Sequence, residues 1–152
     1  MSNTDVKIKT KSEFFKYSVR GIIEQDGKYL LMRFLDVAED LLSGFYFLGG
    51  CVEIGEDSYT AIKREIKEEI GCEIEAKFIC FVENFYHHAN KLCHDVGGLF
   101  LIKPLSQLPM EDFIVIENDK GEEKKLEFKW LTKEQLATFD VRPKMVLVTF
   151  NK

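Results

Sequence analysis

Residues 50–72, GCVEIGEDSYTAIKREIKEEIGC, constrain the fold of this chain more than any other stretch of its sequence. Asp57 or Ser58 can cap a helix that continues to about residue 70, because their side-chain oxygens accept hydrogen bonds from the first free N–H groups. Gly71 is placed to end that helix, since glycine readily adopts the left-handed conformation that closes many helices. The helix carries an apolar stripe that we expect to face a core, formed by Tyr59, Ile62, Ile66 and Ile70.

Three glutamates share another face of the same helix. Glu65, Glu68 and Glu69 are spaced i, i+3 and i+4, so their carboxylates lie side by side. Their repulsion raises the proton affinity of at least one of them, and a bound divalent cation would reverse that cost. Carboxylate oxygen is a hard donor that suits Mg²⁺ or Mn²⁺. The alternative interpretation is a solvated helix face, in which Arg64 simply pairs with Glu68 four residues later.

The spacing of these residues resembles the Nudix box, G-x5-E-x7-R-E-U-x-E-E-x-G-U, in which U is an aliphatic residue. All seven invariant positions are matched, by Gly50, Glu56, Arg64, Glu65, Glu68, Glu69 and Gly71. Two positions depart from the family pattern: Leu48 stands where proline is common, and Cys72 replaces the last aliphatic residue. Both are structural positions, and a buried cysteine behaves as a small apolar residue. On this resemblance the chain is identified as a member of the Nudix hydrolase family.

The resemblance implies an α/β fold, the α/β/α sandwich of Nudix proteins with its central mixed sheet. It also implies divalent-metal-dependent hydrolysis of the phosphoanhydride (pyrophosphate) bond of a nucleoside diphosphate linked to another moiety, by attack of water on phosphorus. The cofactor would be Mg²⁺ or Mn²⁺, and the partner a small nucleoside diphosphate derivative. The alternative is a non-catalytic Nudix-like module that binds or senses a nucleotide, although such modules typically lose the box glutamates that this chain retains.

The resemblance also assigns roles by position. The metal ligands would be the carbonyl of Gly50 and the carboxylates of Glu65, Glu68 and Glu69. Arg64 would orient these glutamates through charge-assisted hydrogen bonds, and it joins them as a catalytic candidate. One of the helix glutamates, or a later one, would be the general base, since family members differ on this point. Glu56 and Gly71 would hold the loop and the end of the helix.

The flanking sequence predicts further strands and a second helix. Residues 16–24 and 28–34 read as two strands joined by Asp26-Gly27, a strong hairpin turn signal. Residues 45–48, 75–86, 98–103 and 126–131 also read as strands, and Thr132-x-x-Gln135 forms a capping box for a short helix ending near residue 139. The tail MVLVTF is ambiguous between a strand and a helix that begins at Pro143.

Weaker candidates for substrate contacts lie outside the box. Arg20 and Arg33 fall on the first two strands and can grip phosphate, with a surface salt bridge as the alternative. Residues 87–94 are expected to form a loop beside the site, through which His87 and His88 reach the substrate. Zinc binding by this loop with Cys93 and His94 fits no common ligand spacing. The remaining candidates are Asp95 for a metal, Glu123 or Glu127 for an extra catalytic carboxylate, and Phe45, Tyr46 and Phe47 for the core or the pocket lining.

Composition narrows the class of partner. The net charge of −5 and the pI of about 5.3 argue against binding of long nucleic acid, which requires dense positive charge. No apolar run reaches the length of a membrane helix and no signal-peptide core is visible, so we expect no membrane association and a cytoplasmic location. The four cysteines form no C-x-x-C pair and are expected to be reduced, mostly buried thiols.

The 152-residue length suits one domain. We expect a flexible N-terminal segment over residues 1–12 and a single Nudix hydrolase domain over residues 13–152. A homodimer is compatible with the sequence, although no residue pattern specifies one.

Overall fold

The computed structural model describes residues 13–35, 44–88, 90–119 and 121–144, which form nine strands and two helices. The strands are β1 (Glu13–Ile22), β2 (Glu24–Gln25), β3 (Lys28–Phe34), β4 (Phe45–Cys51), β5 (Ile74–His88), β6 (Lys91–Pro104), β7 (Phe113–Asp119), β8 (Glu122–Thr132) and β9 (Val141–Arg142). The helices are α1 (Ser58–Ile70) and α2 (Lys133–Thr138).

The strands join into one mixed sheet. Its hydrogen-bonded order is β5-β6-β1-β4-β3-β8-β7, with β2 beside β3 and β9 beside β4. β1 runs parallel to β6 and β4 runs parallel to β9, whereas the other neighbours are antiparallel. The predicted mixed sheet is therefore confirmed. β4 lies at its centre and carries Gly49 and Gly50 near its end, directly before the segment that leads into α1.

The two faces of the sheet bury different side chains, because neighbouring residues of a strand point in opposite directions. On one face, Leu48 belongs to a core cluster with Ile62 and Ile66 of α1. On the other face, Phe47 belongs to a second cluster with Leu136 of α2. One helix thus covers each face, which confirms the predicted α/β/α sandwich.

Several local predictions are confirmed. Asp26 and Gly27 have φ angles of 52° and 77°, as the tight turn between β2 and β3 requires. Asp57 caps α1 by accepting a hydrogen bond from the Thr60 N–H at 2.7 Å. Gly71 ends α1 in the left-handed conformation, with a φ of 67°, and its N–H donates to a carbonyl of the last turn. The capping box between Thr132 and Gln135 is also present at the start of α2.

Other predictions are wrong. Residues 87–94 do not form a long loop, because β5 and β6 extend into a single long hairpin that turns near Asn90. β7 and β9 were not predicted from the sequence. In the apolar stripe of α1, Ile62 and Ile66 are fully buried, but Tyr59 remains 42% exposed and lies at the edge of the core.

Some predictions concern parts of the chain that are not described. Residues 1–12 and the tail from residue 145 onward lie outside the described residues. The four cysteines are free thiols, as predicted, but only Cys72 and Cys93 are buried, whereas Cys51 is exposed. Among the described residues, the two helices are too short or too polar to cross a membrane.

Candidate active site

Glu69 is the most deeply buried acidic side chain of α1. Its residue is only 5% exposed. One carboxylate oxygen accepts a hydrogen bond from the backbone N–H of Gly49 at 2.9 Å. The other oxygen is buried without a hydrogen-bond partner among the described residues. Burial raises the pKa of Glu69 well above its ordinary value, and the negative charge of Glu65 adds to that effect.

Glu65 lies one turn before Glu69 and is pressed against β4. A Cβ atom added to Gly50 would stand 2.5 Å from the Glu65 carboxylate, so only glycine leaves room for this carboxylate. Burial raises the pKa of Glu65, although the neighbouring Arg64 guanidinium opposes that shift. The expectation that a helix carboxylate gains proton affinity is thus met, but burial contributes more than repulsion between carboxylates.

Arg64 connects the loop before α1 to the glutamates of the helix. Its Nε and Nη2 atoms donate to the two carboxylate oxygens of Glu56 at 2.7 and 2.9 Å, a bidentate pair. Its Nη1 atom donates to Glu65 at 2.9 Å and to Glu68 at 3.3 Å. The guanidinium also reaches the Cys51 carbonyl at 3.1 Å. These contacts hold the pKa of Glu56 at about 2 and raise that of Arg64, so both groups stay charged.

The helix carboxylates do not surround a common point as a complete set of metal ligands would. Among the described residues, no three His, Cys, Asp or Glu side chains are arranged around one common point as metal ligands. Arg64 draws Glu65 and Glu68 toward itself, and Glu69 turns one oxygen to the β4 backbone. What the site offers instead is two buried or half-buried carboxylates and the backbone carbonyl of Gly50 in β4, all of them hard oxygen donors.

A cavity of about 670 Å³ opens beside Gly49, whose N–H binds Glu69. Gly49 and Arg20 belong to its wall, so the cavity meets the backbone that binds Glu69. Arg20 is buried, and its Nη1 atom donates to the Phe47 carbonyl at 3.1 Å. Its Nε atom is buried without a hydrogen-bond partner among the described residues. A buried cation with an unused donor is well suited to hold an anionic ligand.

Basic and aromatic side chains form much of the cavity wall. Two guanidinium groups lie near the Tyr46 ring, that of Arg20 at 6.0 Å and that of Arg142 at 5.9 Å from the ring centroid. Further lining residues are Lys16, Phe34, Asn84, Phe85, Tyr86, His87, Asp95 and Lys144. The cavity therefore combines positive charge with flat apolar surfaces, as a ligand with phosphate groups and a ring would require.

The structure brings some of the weaker candidates to this cavity. Arg20 and His87 line it, as does Asp95, whose carboxylate accepts a hydrogen bond from the Ser18 hydroxyl at 2.8 Å. The side chain of His88 lies outside the described residues. Tyr46, left open as a core or a pocket residue, is part of the wall.

Arg33 and Glu127 are not brought to the cavity. Met32 and Phe34 of β3 line it, so Arg33 between them points to the opposite face of the strand. There the Arg33 Nε atom pairs with a Glu127 carboxylate oxygen at 2.6 Å. Arg33 therefore forms a salt bridge, which was the alternative to phosphate binding, and Glu127 is its partner in that salt bridge. Their assignment to the substrate site is not supported by this placement.

Two residues of the cavity were not assigned to the site from the sequence, and they reach the cavity for different structural reasons. Lys16 lies four residues before Arg20 on β1, so the period-2 pattern of the strand places both on one face and was a usable signal. Arg142 reaches the cavity because the short strand β9 pairs in parallel with β4. That pairing joins residues about a hundred positions apart, and no local pattern announces it.

Comparison with known proteins identifies the family of this chain. The model of the NUDIX domain matches residues 15–149, so the chain belongs to the Nudix family. This family consists of hydrolases that act on anhydrides of phosphorus-containing compounds. No curated protein matches the chain.

Three solved structures illustrate the likeness. The MutT NUDIX hydrolase from Burkholderia pseudomallei is 21% identical, with 80% of this chain and 86% of that chain covered and a TM-score of 0.56. A UDP-X diphosphatase is 18% identical over 93% of this chain and 62% of that chain, with a TM-score of 0.63. The MutT protein from Methanosarcina mazei Go1 is 16% identical over 93% and 94%, with a TM-score of 0.61. At identities this low, the likeness shows a shared fold.

Proposed function

We propose that this protein hydrolyses the phosphoanhydride bond of a small nucleoside diphosphate derivative with the help of Mg²⁺ or Mn²⁺. The observation that carries the proposal is Glu69, a buried carboxylate beside Glu65 that has one oxygen unpartnered among the described residues. Its other oxygen is bonded to Gly49, which belongs to the wall of a basic and aromatic cavity. A carboxylate that served only the fold would not be left in this state, because a buried polar atom without a partner costs stability.

The residues present fit a divalent cation. Glu65 and Glu69 would hold it with the Gly50 carbonyl, and Glu68, whose side chain is 51% exposed, would approach from the open side. Mg²⁺ needs few protein ligands, since it retains several water molecules. When bound, the cation neutralises phosphate charge and lowers the pKa of a water molecule. Three side-chain ligands around one point are therefore not required for binding of the cation.

The other residues would position these groups and the substrate. Arg64 holds Glu65 and Glu68 toward one another and ties them to Glu56, which fixes the loop after β4. Arg20 would bind a phosphate oxygen through its unused Nε–H. Tyr46 would support the attached nucleoside, because its aromatic ring belongs to the cavity wall near two guanidinium groups. The name of one structural relative, UDP-X diphosphatase, is in keeping with a substrate of this kind.

The test is hydrolysis of a substrate panel in ¹⁸O-labelled water with Mg²⁺. The panel contains nucleoside triphosphates, nucleotide sugars and dinucleoside polyphosphates, and the labelled product shows which phosphorus is attacked. Glu69→Gln should lower kcat by about 100-fold or more, because even outer partners of a metal site cost 10- to 100-fold. Glu73→Gln is the matched control, since Glu73 only pairs with Lys67 on the surface.

Two outcomes would contradict the proposal. If Glu69→Gln kept the full activity of the wild type, the helix carboxylates would not be needed for hydrolysis. Thermal stabilisation by a nucleotide without release of any product, in a correctly folded protein, would instead favour a Nudix-like binding module.

A further inference from the structure

We propose that a second copy of this chain docks on an aromatic face at the β5 end of the sheet and forms a symmetric homodimer. The aromatic face is defined by side chains of β1, β5 and β6 that project from the same side of the sheet: Phe15, Tyr17, Phe78, Phe81, Phe85 and His94. This inference does not rest on the proposed function, because its argument does not use the helix glutamates; the aromatic face and the cavity share Phe85.

The rings of the aromatic face form two groups that adjoin on β1. Phe81 lies 5.0 Å from Phe78 and 6.3 Å from Tyr17, measured between ring centroids. His94 lies 4.3 Å from Phe85 and 4.7 Å from Phe15. The two groups adjoin because Phe15 and Tyr17 are two residues apart on β1 and point to the same side. On β5 the charged Glu83 lies between Phe81 and Phe85.

The aromatic face is nevertheless exposed. Phe81 is 57%, Phe85 61% and Phe15 49% exposed. At its lower end the face continues into the core beneath α1, where the Phe78 ring meets the buried Phe100 ring at 5.5 Å. Among the described residues, the same side of the sheet is therefore covered by α1 over one part of its length and left open over the next. A contiguous apolar patch of this kind marks an interaction surface.

The charges within the aromatic face suit a partner without strong charge. The His94 Nε2 atom lies 2.7 Å from a carboxylate oxygen of Glu83, so these two groups satisfy one another. Burial of the face would then leave neither group unpaired, which is the main penalty for burying charge. A strongly charged ligand would find no complementary group here, whereas a second copy presents the same rings and the same internal pair.

The area of the aromatic face is adequate for the core of a dimer contact. Five aromatic side chains, each about half exposed, offer on the order of 500 Å² per protomer. A stable interface buries roughly 800 Å² per partner, of which the polar rim supplies the remainder. In a two-fold dimer the same patch serves both protomers. Pairing along the edge of β5 is disfavoured, since a bulge between Phe78 and Cys80 interrupts that strand.

The oligomeric state of the full chain tests this proposal. Sedimentation analysis of the wild type at micromolar concentration should give twice the chain mass of 17.7 kDa. Phe81→Glu places a charge at the centre of the aromatic face and should weaken dimerisation by about 30-fold or more, as expected for a central interface residue. Phe81→Leu keeps the position apolar and should remain dimeric. Ile116→Glu is the matched control, since Ile116 is 58% exposed on β7 at the opposite edge of the sheet.

Circular dichroism of each variant establishes that it is folded. A photo-reactive phenylalanine analogue at position 81 should give a cross-linked product of twice the chain mass. A monomeric wild type would overturn the proposal, and would mean that residues outside the described part of the chain or a different partner cover the aromatic face. Dissociation by Ile116→Glu but not by Phe81→Glu would move the dimer contact to β7 and would overturn it equally.

Discussion

Glu69 is buried against the β4 backbone although a carboxylate at that depth costs the folded state free energy. One of its oxygens is bonded to Gly49 and the other is unpartnered among the described residues. Without a cation, the folded protein reduces this cost by keeping the group protonated to higher pH than the unfolded chain does. The raised pKa of Glu69 is therefore a statement about stability as well as chemistry.

The pH dependence of stability should reveal Glu69 directly. Because its folded pKa lies well above 4.5, its contribution to stability is fully present below that pH and is lost as the pH rises through the folded pKa. Glu69→Gln is neutral at every pH and removes this loss. In metal-free buffer with EDTA, urea unfolding should show the variant gaining stability relative to the wild type as the pH rises above 4.5. A difference that does not change with pH would contradict the assignment.

Arg64 is a positioning residue whose geometry matters more than its charge. Its bidentate pair with Glu56 and its contacts with Glu65 and Glu68 require several donors in one plane. Lysine supplies the charge but not the fork. Arg64→Lys should therefore lower activity by about 10- to 100-fold, as for other outer partners of a metal site. Titration of activity with Mg²⁺ provides the measurement.

The Mg²⁺ dependence of the Arg64→Lys variant distinguishes positioning of the glutamates from a purely structural role, which would leave that dependence unchanged. The Mg²⁺ concentration for half-maximal activity should rise in the variant, because Glu65 is no longer held in place. Lys63→Arg on the same helix is the control, since Lys63 packs over the Tyr59 ring rather than the glutamates. An unchanged Mg²⁺ dependence with reduced thermal stability would mean that Arg64 serves the fold alone.

At the scale of elements, the approach of α1 to β4 is what shapes the site. The helix places Glu65 so close to Gly50 that a Cβ atom at that position would overlap the Glu65 carboxylate in its present place. Gly50→Ala should displace the Glu65 carboxylate, and a misplacement of about 1 Å can cost about 100-fold in rate. Gly97→Ala is the control, because a Cβ there meets its nearest neighbour at an ordinary 3.4 Å. Steady-state kinetics together with circular dichroism would show whether the rate falls while the fold persists.

The sequence predicts α1 and the hairpin turn well because their signals are local. The Asp57 cap, the Gly71 terminus and the apolar spacing of Ile62 and Ile66 all act within a few residues. The long β5–β6 hairpin was underestimated because polar and aromatic side chains alternate poorly there. Those side chains line the cavity and form the aromatic face, so the pattern of a half-buried strand is obscured by residues with other roles.

The cavity itself could be predicted only in part. Lys16 and Arg20 share a strand face, which the sequence pattern encodes. In contrast, nothing local distinguishes Arg20 from Arg33, although one lines the cavity and the other pairs with Glu127 on the opposite face. Arg142 is added by the parallel pairing of β9 with β4. The order of the strands in the sheet determines which residues meet at the cavity. No single segment of the sequence predicts that order.

At the scale of the whole molecule, the candidate cation site exists only in the folded chain. The Gly50 carbonyl belongs to β4, whereas Glu65 and Glu69 belong to α1, and packing of that helix on the sheet brings them together. A ligand that binds the folded state and not the unfolded chain stabilises the fold by mass action. Cation binding should therefore appear as a change in melting temperature, independently of any substrate.

Millimolar Mg²⁺ should raise the Tm of the wild type, because the buried Glu69 carboxylate then gains a partner for its unused oxygen. At about 100 times the dissociation constant the gain is about 2.7 kcal/mol, which is roughly 5–10 °C for a chain of this size. Glu73→Gln should show the same rise and Glu69→Gln a much smaller one, as measured by calorimetry against Na⁺ at equal ionic strength. An equal rise in all three proteins would assign the effect to general screening of the acidic surface, and the helix carboxylates would then have no cation to account for their burial.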